Sequence, residues 1–180
     1  MNERTLYFAY GSNMAVERLR ARVPSARLVG SAVLAGHALR FHKPGSIDGS
    51  AKCDAAFTGN AADRVFGALY SIATAELALL DQFEARGHGY ERKTVSVMTA
   101  KDETVQAETY IATLTDGRLR PLDWYKEHVL RGARALQLPG AYIATIEAVA
   151  ADVDANAERR MRELSIYGSR AGMDPGSSPR

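Results

Sequence analysis

The sequence predicts a single α+β domain. Its 180 residues are 46% hydrophobic, which is enough to build one domain with a substantial core. Strand-like segments dominate the middle of the chain and helical segments its end, without the regular alternation of a parallel α/β protein. We assign the domain to residues 1–167. Residues 168–180, "GSRAGMDPGSSPR", are expected to form a flexible tail because of their polar, glycine-rich composition.

The N-terminal segment predicts one strand and one helix. The stretch "TLYFAY" at 5–10 is rich in aromatic residues, as strands are. Ser12 or Asn13 can cap the helix that follows, which begins at Met14 and ends near Pro24.

The middle of the chain predicts six further strands, one polar loop and one helix. The strand-like segments between turn residues are 26–36, 37–43, 55–59, 64–72, 90–100 and 104–114. The last two are joined at "KDE" and predict a hairpin. Residues 44–54, "PGSIDGSAKCD", have the composition of a surface loop. Thr74 can cap a helix over 75–86, which Gly87 and Gly89 would end.

The C-terminal part predicts helices. Pro121 suits the first position of a helix that runs to residue 138. Further helical patterns cover 141–151 and 155–164, and the stretch "ERRMRE" in the latter is typical of a solvated charged face.

Composition excludes several classes of function. The net charge of +2 indicates that nucleic acid is not the main partner, and a single cysteine excludes an internal disulfide or a cysteine metal cluster. No histidine pair has helical metal-ligand spacing with a carboxylate, so we predict no metal ion. The chain has no signal-peptide core and no membrane-length apolar run, so we expect a cytoplasmic protein with no membrane partner.

Glu84 is the first candidate for chemistry. It follows Leu77 and Leu80 on the predicted helix and lies at the edge of their apolar stripe. Partial desolvation there would suit its carboxylate for proton transfer near neutral pH. An ordinary solvated residue at the helix end is the alternative, and the pattern alone favours it.

The transition from strand to Gly11-Ser12-Asn13 is the second candidate. A strand that ends in small residues at a helix start offers successive backbone N–H groups to one cavity, where they can bind a carboxylate or an oxyanion. A plain turn with an N-cap explains the same residues equally well.

Three tyrosines and one cysteine have simpler explanations. Tyr10, Tyr90 and Tyr125 can present hydroxyl groups to a pocket, but packing in the core is the default. Cys53 lies in the predicted polar loop without a local nucleophile signature, which favours an incidental thiol over a catalytic one.

Taken together, "LYFAYGSN", "LLDQFEARGHGY" and "WYKEHVLRGARALQLP" resemble the γ-glutamylcyclotransferase family, from about residue 6 to residue 149. The resemblance implies a small mixed β-barrel flanked by helices, with a substrate cavity at one end. The chain differs from the glutathione-specific branch of the family, which has Gly-Ser-Leu where this chain has Gly-Ser-Asn. Ala85 also departs from the Glu-Gly that the family often has at the catalytic position.

By position, the resemblance implies that Glu84 is the catalytic general base and acid. The implied substrate-binding residues are Tyr7, Phe8, Ala9, Tyr10, Gly11, Ser12, Asn13, Tyr90 and Tyr125. The implied reaction is cyclisation of a small-molecule γ-glutamyl substrate to 5-oxoproline with release of an amine. Because the substrate supplies its own nucleophile and one amide replaces another, no cofactor or metal is expected.

Three alternatives stay open at this point. The enzyme could act on γ-glutamylamines of a biosynthetic pathway, it could be a Cys53-dependent amidase, or the fold could serve a non-catalytic γ-glutamyl-binding protein. The sequence also leaves the leaving group and the oligomeric state open, a homodimer included.

Overall fold

The computed structural model describes residues 3–84 and 89–168. The strands, numbered in chain order, are β1 Arg4–Ala9, β2 Arg27–Ala35, β3 His37–Pro44, β4 Ala51–Phe57, β5 Arg64–Ala73, β6 Tyr90–Thr99 and β7 Thr104–Ala112. The α-helices are α1 Val16–Arg22, α2 Leu77–Phe83, α3 Asp123–Ala135, α4 Gly140–Glu147 and α5 Ala157–Ser165. Short 3₁₀ turns, Ser12–Met14 and Thr74–Glu76, precede α1 and α2.

Five strands close into a barrel in the order β1-β5-β2-β6-β7, and β3 and β4 form a separate two-stranded sheet. The barrel closes where β1 runs parallel to β7, with Tyr7 opposite Glu108, while the other neighbours in the barrel are antiparallel. The predicted α+β class and mixed barrel flanked by helices are confirmed, as is the hairpin of β6 and β7.

This topology brings three chain segments to one end of the barrel. Because β1 and β7 are parallel, their C-terminal ends lie at the same end. Strand β6 is antiparallel to β7 and pairs Tyr90 with Ala112, so β6 begins where β7 finishes. The turn after β1 therefore lies beside the start of β6.

Strand β4 corrects the predicted surface loop at 44–54. Residues 51–54 belong to a strand, and Cys53 and Asp54 are both buried in it. The polar composition misled the prediction because Asp54 is satisfied inside the protein. Its carboxylate accepts from the backbone N–H of Ala112 at 2.8 Å and lies 2.9 Å from Nε2 of His42.

Two predicted helix starts are also wrong. Thr74 makes no side-chain cap: its hydroxyl is 2.9 Å from that of Thr5, and the N-cap of α2 is Glu76. Helix α3 begins at Asp123, so Pro121 lies outside it. Helix α2 ends at Phe83, earlier than the predicted end before Gly87. Ala85, which departs from the family pattern, and residues 169–180 of the predicted tail lie outside the described residues.

Helix α3 closes the site end of the barrel by packing on the turn after β1. Gly132 faces the backbone of Met14 and Ala15, and Val129 and Ala133 of the same helix are fully buried. No helix in the described ranges is long and apolar enough to cross a membrane.

Candidate active site

A cavity of about 310 Å³ opens at this end of the barrel. Its lining, which is dominated by tyrosine, consists of Tyr7, Tyr10, Gly11, Ser12, Asn13, Cys53, Glu84, Tyr90, Tyr110 and Tyr125. Eight of the ten residues nominated by the sequence therefore surround one cavity. These residues are up to 118 positions apart in the sequence, from Tyr7 to Tyr125.

The other two nominated residues, Phe8 and Ala9, do not line the cavity. Both are buried in β1, where the Phe8 ring lies 6.2 Å from that of Tyr10. Tyr110 also lines the cavity, although the sequence does not predict it as a site residue. No local motif marks it, because only the closure of the barrel brings it to Tyr7, with ring centroids 6.1 Å apart.

Glu84 immediately follows α2, and 16% of its side chain is exposed. The Nδ2 of Asn13 donates to its Oε1 at 3.0 Å, and Nη1 of Arg22 lies 3.6 Å from the same oxygen. Within the described residues, Oε2 has no protein partner. One carboxylate oxygen is thus held by the protein while the other is open to a ligand.

The Asn13 amide is held in one orientation by its partners. Besides Glu84, its Nδ2 donates to Oη of Tyr7 at 3.0 Å, and its Oδ1 accepts from Nη1 of Arg22 at 3.1 Å. The prediction that Ser12 or Asn13 caps the helix is wrong, since the N-cap of α1 is Ala15 and has no side-chain bond. Tertiary partners have taken the side chains that a cap would need.

The tyrosine hydroxyls fix the cavity wall. Tyr10 donates to the carbonyl of Tyr110 and Tyr90 donates to the carbonyl of Cys53, while Oη of Tyr125 accepts from the Cys53 N–H at 3.0 Å. Burial raises the pKa of Tyr10, Tyr90 and Tyr125 well above the usual value, so all three phenols stay protonated at neutral pH. They satisfy the core and line the cavity at the same time.

Cys53 is a poor candidate for a nucleophile. It is 1% exposed, and burial raises the pKa of its thiol to about 12. Since the thiolate is the reactive form, the thiol is almost entirely inert at neutral pH. The geometry does not support the Cys53-dependent amidase.

Gly11 lets the end of β1 approach this wall. A Cβ at this position would lie 3.0 Å from Cβ of Cys53 and 3.3 Å from Oη of Tyr125, tighter than ordinary van der Waals contact. The packing of the cavity wall therefore favours a glycine at this position.

A buried network ties the turn after β1 to α5. Arg18 donates from Nε to Oγ of Ser12 at 3.1 Å and from Nη1 to Glu163 at 2.7 Å. Its Nη1 also lies 3.0 Å from Nε2 of His128, so that nitrogen accepts and the ring is neutral, with Nδ1 donating to Oη of Tyr167 at 2.5 Å. Burial lowers the pKa of His128 to about 4.

No group of three or more histidine, cysteine, aspartate or glutamate side chains in residues 3–84 and 89–168 could hold a metal ion. The site consists instead of one carboxylate, one amide, a cation and a tyrosine wall.

Comparisons with known proteins identify relatives of this chain. The model of the AIG2-like family matches residues 64–146. A protein named gamma-glutamylcyclotransferase from Bos taurus is 30% identical over 148 residues, which are 78% of this chain and 76% of that protein. The Homo sapiens protein of the same name is 30% identical over 155 residues, 82% of this chain and 79% of that protein.

Solved structures show the same fold. A structure titled "Gamma-glutamyl cyclotransferase" superimposes with a TM-score of 0.78 at 24% identity, covering 89% of this chain and 99% of the other. The structure of an uncharacterized human protein gives a TM-score of 0.77 at 26% identity with the same coverage.

Proposed function

The chain belongs to the γ-glutamylcyclotransferase family of enzymes, and we propose that it converts a γ-glutamyl amino acid or amide to 5-oxoproline and the free amine. In this proposal Glu84 is the general base and acid. The substrate-binding residues are those that surround it in the cavity. The expected cytoplasmic location and a homodimer stay predictions.

The observation that carries the proposal is the way Glu84 is held. The side chains of Asn13 and Arg22 both contact Oε1 of Glu84, which leaves Oε2 of Glu84 for the substrate. A proton-transferring carboxylate needs a fixed position and one oxygen within reach of the reacting nitrogen.

The reaction then follows from the substrate's own groups. Glu84 takes a proton from the substrate ammonium, and the resulting α-amine attacks the γ-carbonyl carbon to form a five-membered ring. The tetrahedral intermediate collapses as the bond to the leaving nitrogen breaks, and Glu84 returns the proton to that nitrogen. The second proton of the ring nitrogen ends on the released amine, which leaves as an ammonium ion. Atoms balance without water, an oxidant or a co-reactant.

The remaining requirement is to hold the substrate folded and to stabilise charge on the carbonyl oxygen. The backbone N–H groups of Gly11, Ser12 and Asn13 are the donors we assign to this task, since the first N–H groups of a helical turn have no intrahelical acceptor. Cys53 has no part in the chemistry, because its thiol stays protonated.

The test measures 5-oxoproline release from a panel of γ-glutamyl amino acids, γ-glutamyl amines and glutathione. Glu84→Gln keeps the hydrogen bond acceptor at Oε1 but cannot carry a proton, so we expect kcat to fall by about 10²- to 10⁴-fold. Circular dichroism checks that the variant is folded.

Glu91→Gln is the matched control. Glu91 is exposed on β6, and its ion pair in the described part of the chain is with Lys93 at 3.4 Å, so its loss should leave turnover unchanged. Near-normal turnover by folded Glu84→Gln would defeat the assignment of the base. No release by folded wild type from any compound would favour the non-catalytic binding protein.

A further inference from the structure

A second cavity, of about 750 Å³, adjoins the first and forms a vestibule to Glu84. The two share Ser12, Glu84, Tyr90 and Tyr125 in their walls. The vestibule is lined by three carboxylates and by six cationic side chains, which are Arg18, Arg22, Lys43, Lys52, Arg159 and Arg162. This excess of positive charge favours an anionic group in the vestibule.

Most of the cations in the vestibule already have carboxylate partners. Arg18 pairs with Glu163 at 2.7 Å and Lys52 with Asp48 at 2.8 Å. Arg159 pairs with Asp154 at 2.6 Å, and Arg22 lies beside the carboxylate of Glu84. These four cations are partly neutralised before any ligand arrives.

Lys43 differs from them. The residue is 4% exposed, yet no hydrogen bond or carboxylate partner of its ammonium group is found in the described part of the chain. Its Nζ lies 4.6 Å from the centre of the Tyr90 ring, and the bare backbone of Gly89 packs against it. A Cβ at Gly89 would stand 2.8 Å from Nζ, so the lysine fills space that only a glycine leaves open.

A buried cation without a partner is costly and gains from an anionic ligand. Burial lowers the pKa of Lys43, whereas the charges of Glu84 and Asp48 raise it. The aromatic face of Tyr90 supports the ammonium without neutralising it. Lys43 thus places a positive charge, without a carboxylate partner in the described residues, at the junction of the two cavities.

We propose that Lys43 binds a carboxylate of the leaving group, which makes the vestibule the site of an amino acid or peptide rather than of a simple amine. This inference rests on the proposed function, in which the leaving nitrogen is next to Glu84. The departing half of the substrate then extends into the vestibule, with its carboxylate on the ammonium of Lys43.

The competing role for Lys43 is protonation of the leaving nitrogen. The two roles predict different kinetics. A proton donor would be needed for every leaving group, so its loss would lower kcat for all substrates. A carboxylate-binding lysine matters only for substrates that carry the carboxylate, and its loss raises KM more than it lowers kcat.

The test uses γ-glutamylalanine and γ-glutamylethylamide, which differ only in that hydrogen replaces the carboxylate of the leaving group. We expect wild type to prefer γ-glutamylalanine by about 10- to 100-fold in kcat/KM, as a charged hydrogen bond would give. Lys43→Met should remove this preference by slowing γ-glutamylalanine alone. Its Tm should equal or exceed that of wild type, because an unpaired buried charge is lost.

Arg162→Gln separates a direct contact from a general field, since it removes an exposed positive charge from the same vestibule. A loss equal to that of Lys43→Met would refute the contact, as would equal slowing of both substrates by Lys43→Met. Equal rates for the two substrates in wild type would also overturn the inference, even if Lys43→Met failed to fold. Release from neither substrate, or from any other γ-glutamyl compound, would instead refute the proposed function.

Discussion

Gly132→Ala should damage the active site through a single methyl group. Gly132 lies on α3 where the helix crosses the turn after β1. A Cβ there would lie 2.4 Å from Cβ of Met14, 2.6 Å from the carbonyl carbon of Met14 and 2.7 Å from the backbone nitrogen of Ala15. Two of these atoms belong to the backbone and the third is bonded directly to it, so no side-chain rotation makes room. Reaching the 3.4 Å of ordinary contact with the nearest atom requires a shift of about 1.0 Å.

The size of the effect follows from what that turn carries. Asn13, next to Met14, holds Oε1 of Glu84, so a shift of the turn moves the base relative to the cavity. A misplacement of about 1 Å can cost about 10²-fold in rate, and we expect kcat/KM to fall by about 10- to 100-fold. Overpacking costs about 1–3 kcal/mol, against a gain of up to about 1 kcal/mol from the helix propensity of alanine. The net loss of about 1–2 kcal/mol should lower Tm by about 2–8 °C.

The assay is 5-oxoproline release with Tm measured in parallel. Gly140→Ala is the matched control, because Gly140 is also helical and a Cβ there meets nothing within 4 Å. It should leave kcat/KM unchanged and Tm equal or slightly higher. If Gly132→Ala has the Tm and the kcat/KM of wild type, the contact between α3 and the turn does not position the base.

Two further predictions concern Asn13, which holds the base, and the buried His128. Asn13→Ala should lower kcat/KM by about 10- to 100-fold. It should also destabilise the fold by about 1–3 kcal/mol, since Tyr7 and Arg22 lose a buried hydrogen-bond partner. Steady-state kinetics and thermal unfolding measure the two effects, and an unchanged kcat/KM would contradict the role of Asn13 in holding Glu84. For His128, the unfolded pKa of about 6.5 exceeds the folded value of about 4, so the unfolded state takes up protons first as pH falls. The free energy of unfolding should be highest above about pH 6.5 and should fall by on the order of 3 kcal/mol toward pH 4. His128→Asn should reduce this loss, which Tm measured from pH 4.5 to 7.5 would show. Equal dependence of Tm on pH in both proteins would refute the prediction.

Local signals predicted most of the secondary structure, and they failed where tertiary contacts replaced local ones. Strand β4 reads as a loop because Asp54 is polar, but His42 and the Ala112 N–H satisfy it inside the protein. Thr74 has the character of an N-cap, yet its hydroxyl pairs with Thr5 of β1. In each case a partner distant in sequence determines the local structure, and the periodicity of the segment does not indicate that partner.

The candidate site was predictable only through the family resemblance. The pattern around Glu84 favoured a solvated residue, because the helical stripe contains no information on Asn13 and Arg22, which lie on other elements. The stretch "ERRMRE" read as a solvated face, but Glu163 within it pairs with the buried Arg18. The sequence does not mark Lys43, since a lysine in a strand becomes unusual only when its burial is known.

The barrel closure explains why these residues meet. Because β1 and β7 are parallel while β6 and β7 form a hairpin, the turn after β1 and the start of β6 lie at the same end of the barrel. Helix α2 must connect β5 to this end, and Asp81 anchors it there by accepting from the hydroxyl of Tyr110 at 2.8 Å and from Arg92 at 2.9 Å. Glu84 follows three residues later, which is one helical turn nearer the cavity. The position of the carboxylate is therefore fixed by two contacts, the anchor of α2 on Tyr110 of β7 and the hydrogen bond from Asn13 of the turn after β1, and the loss of either should lower the rate.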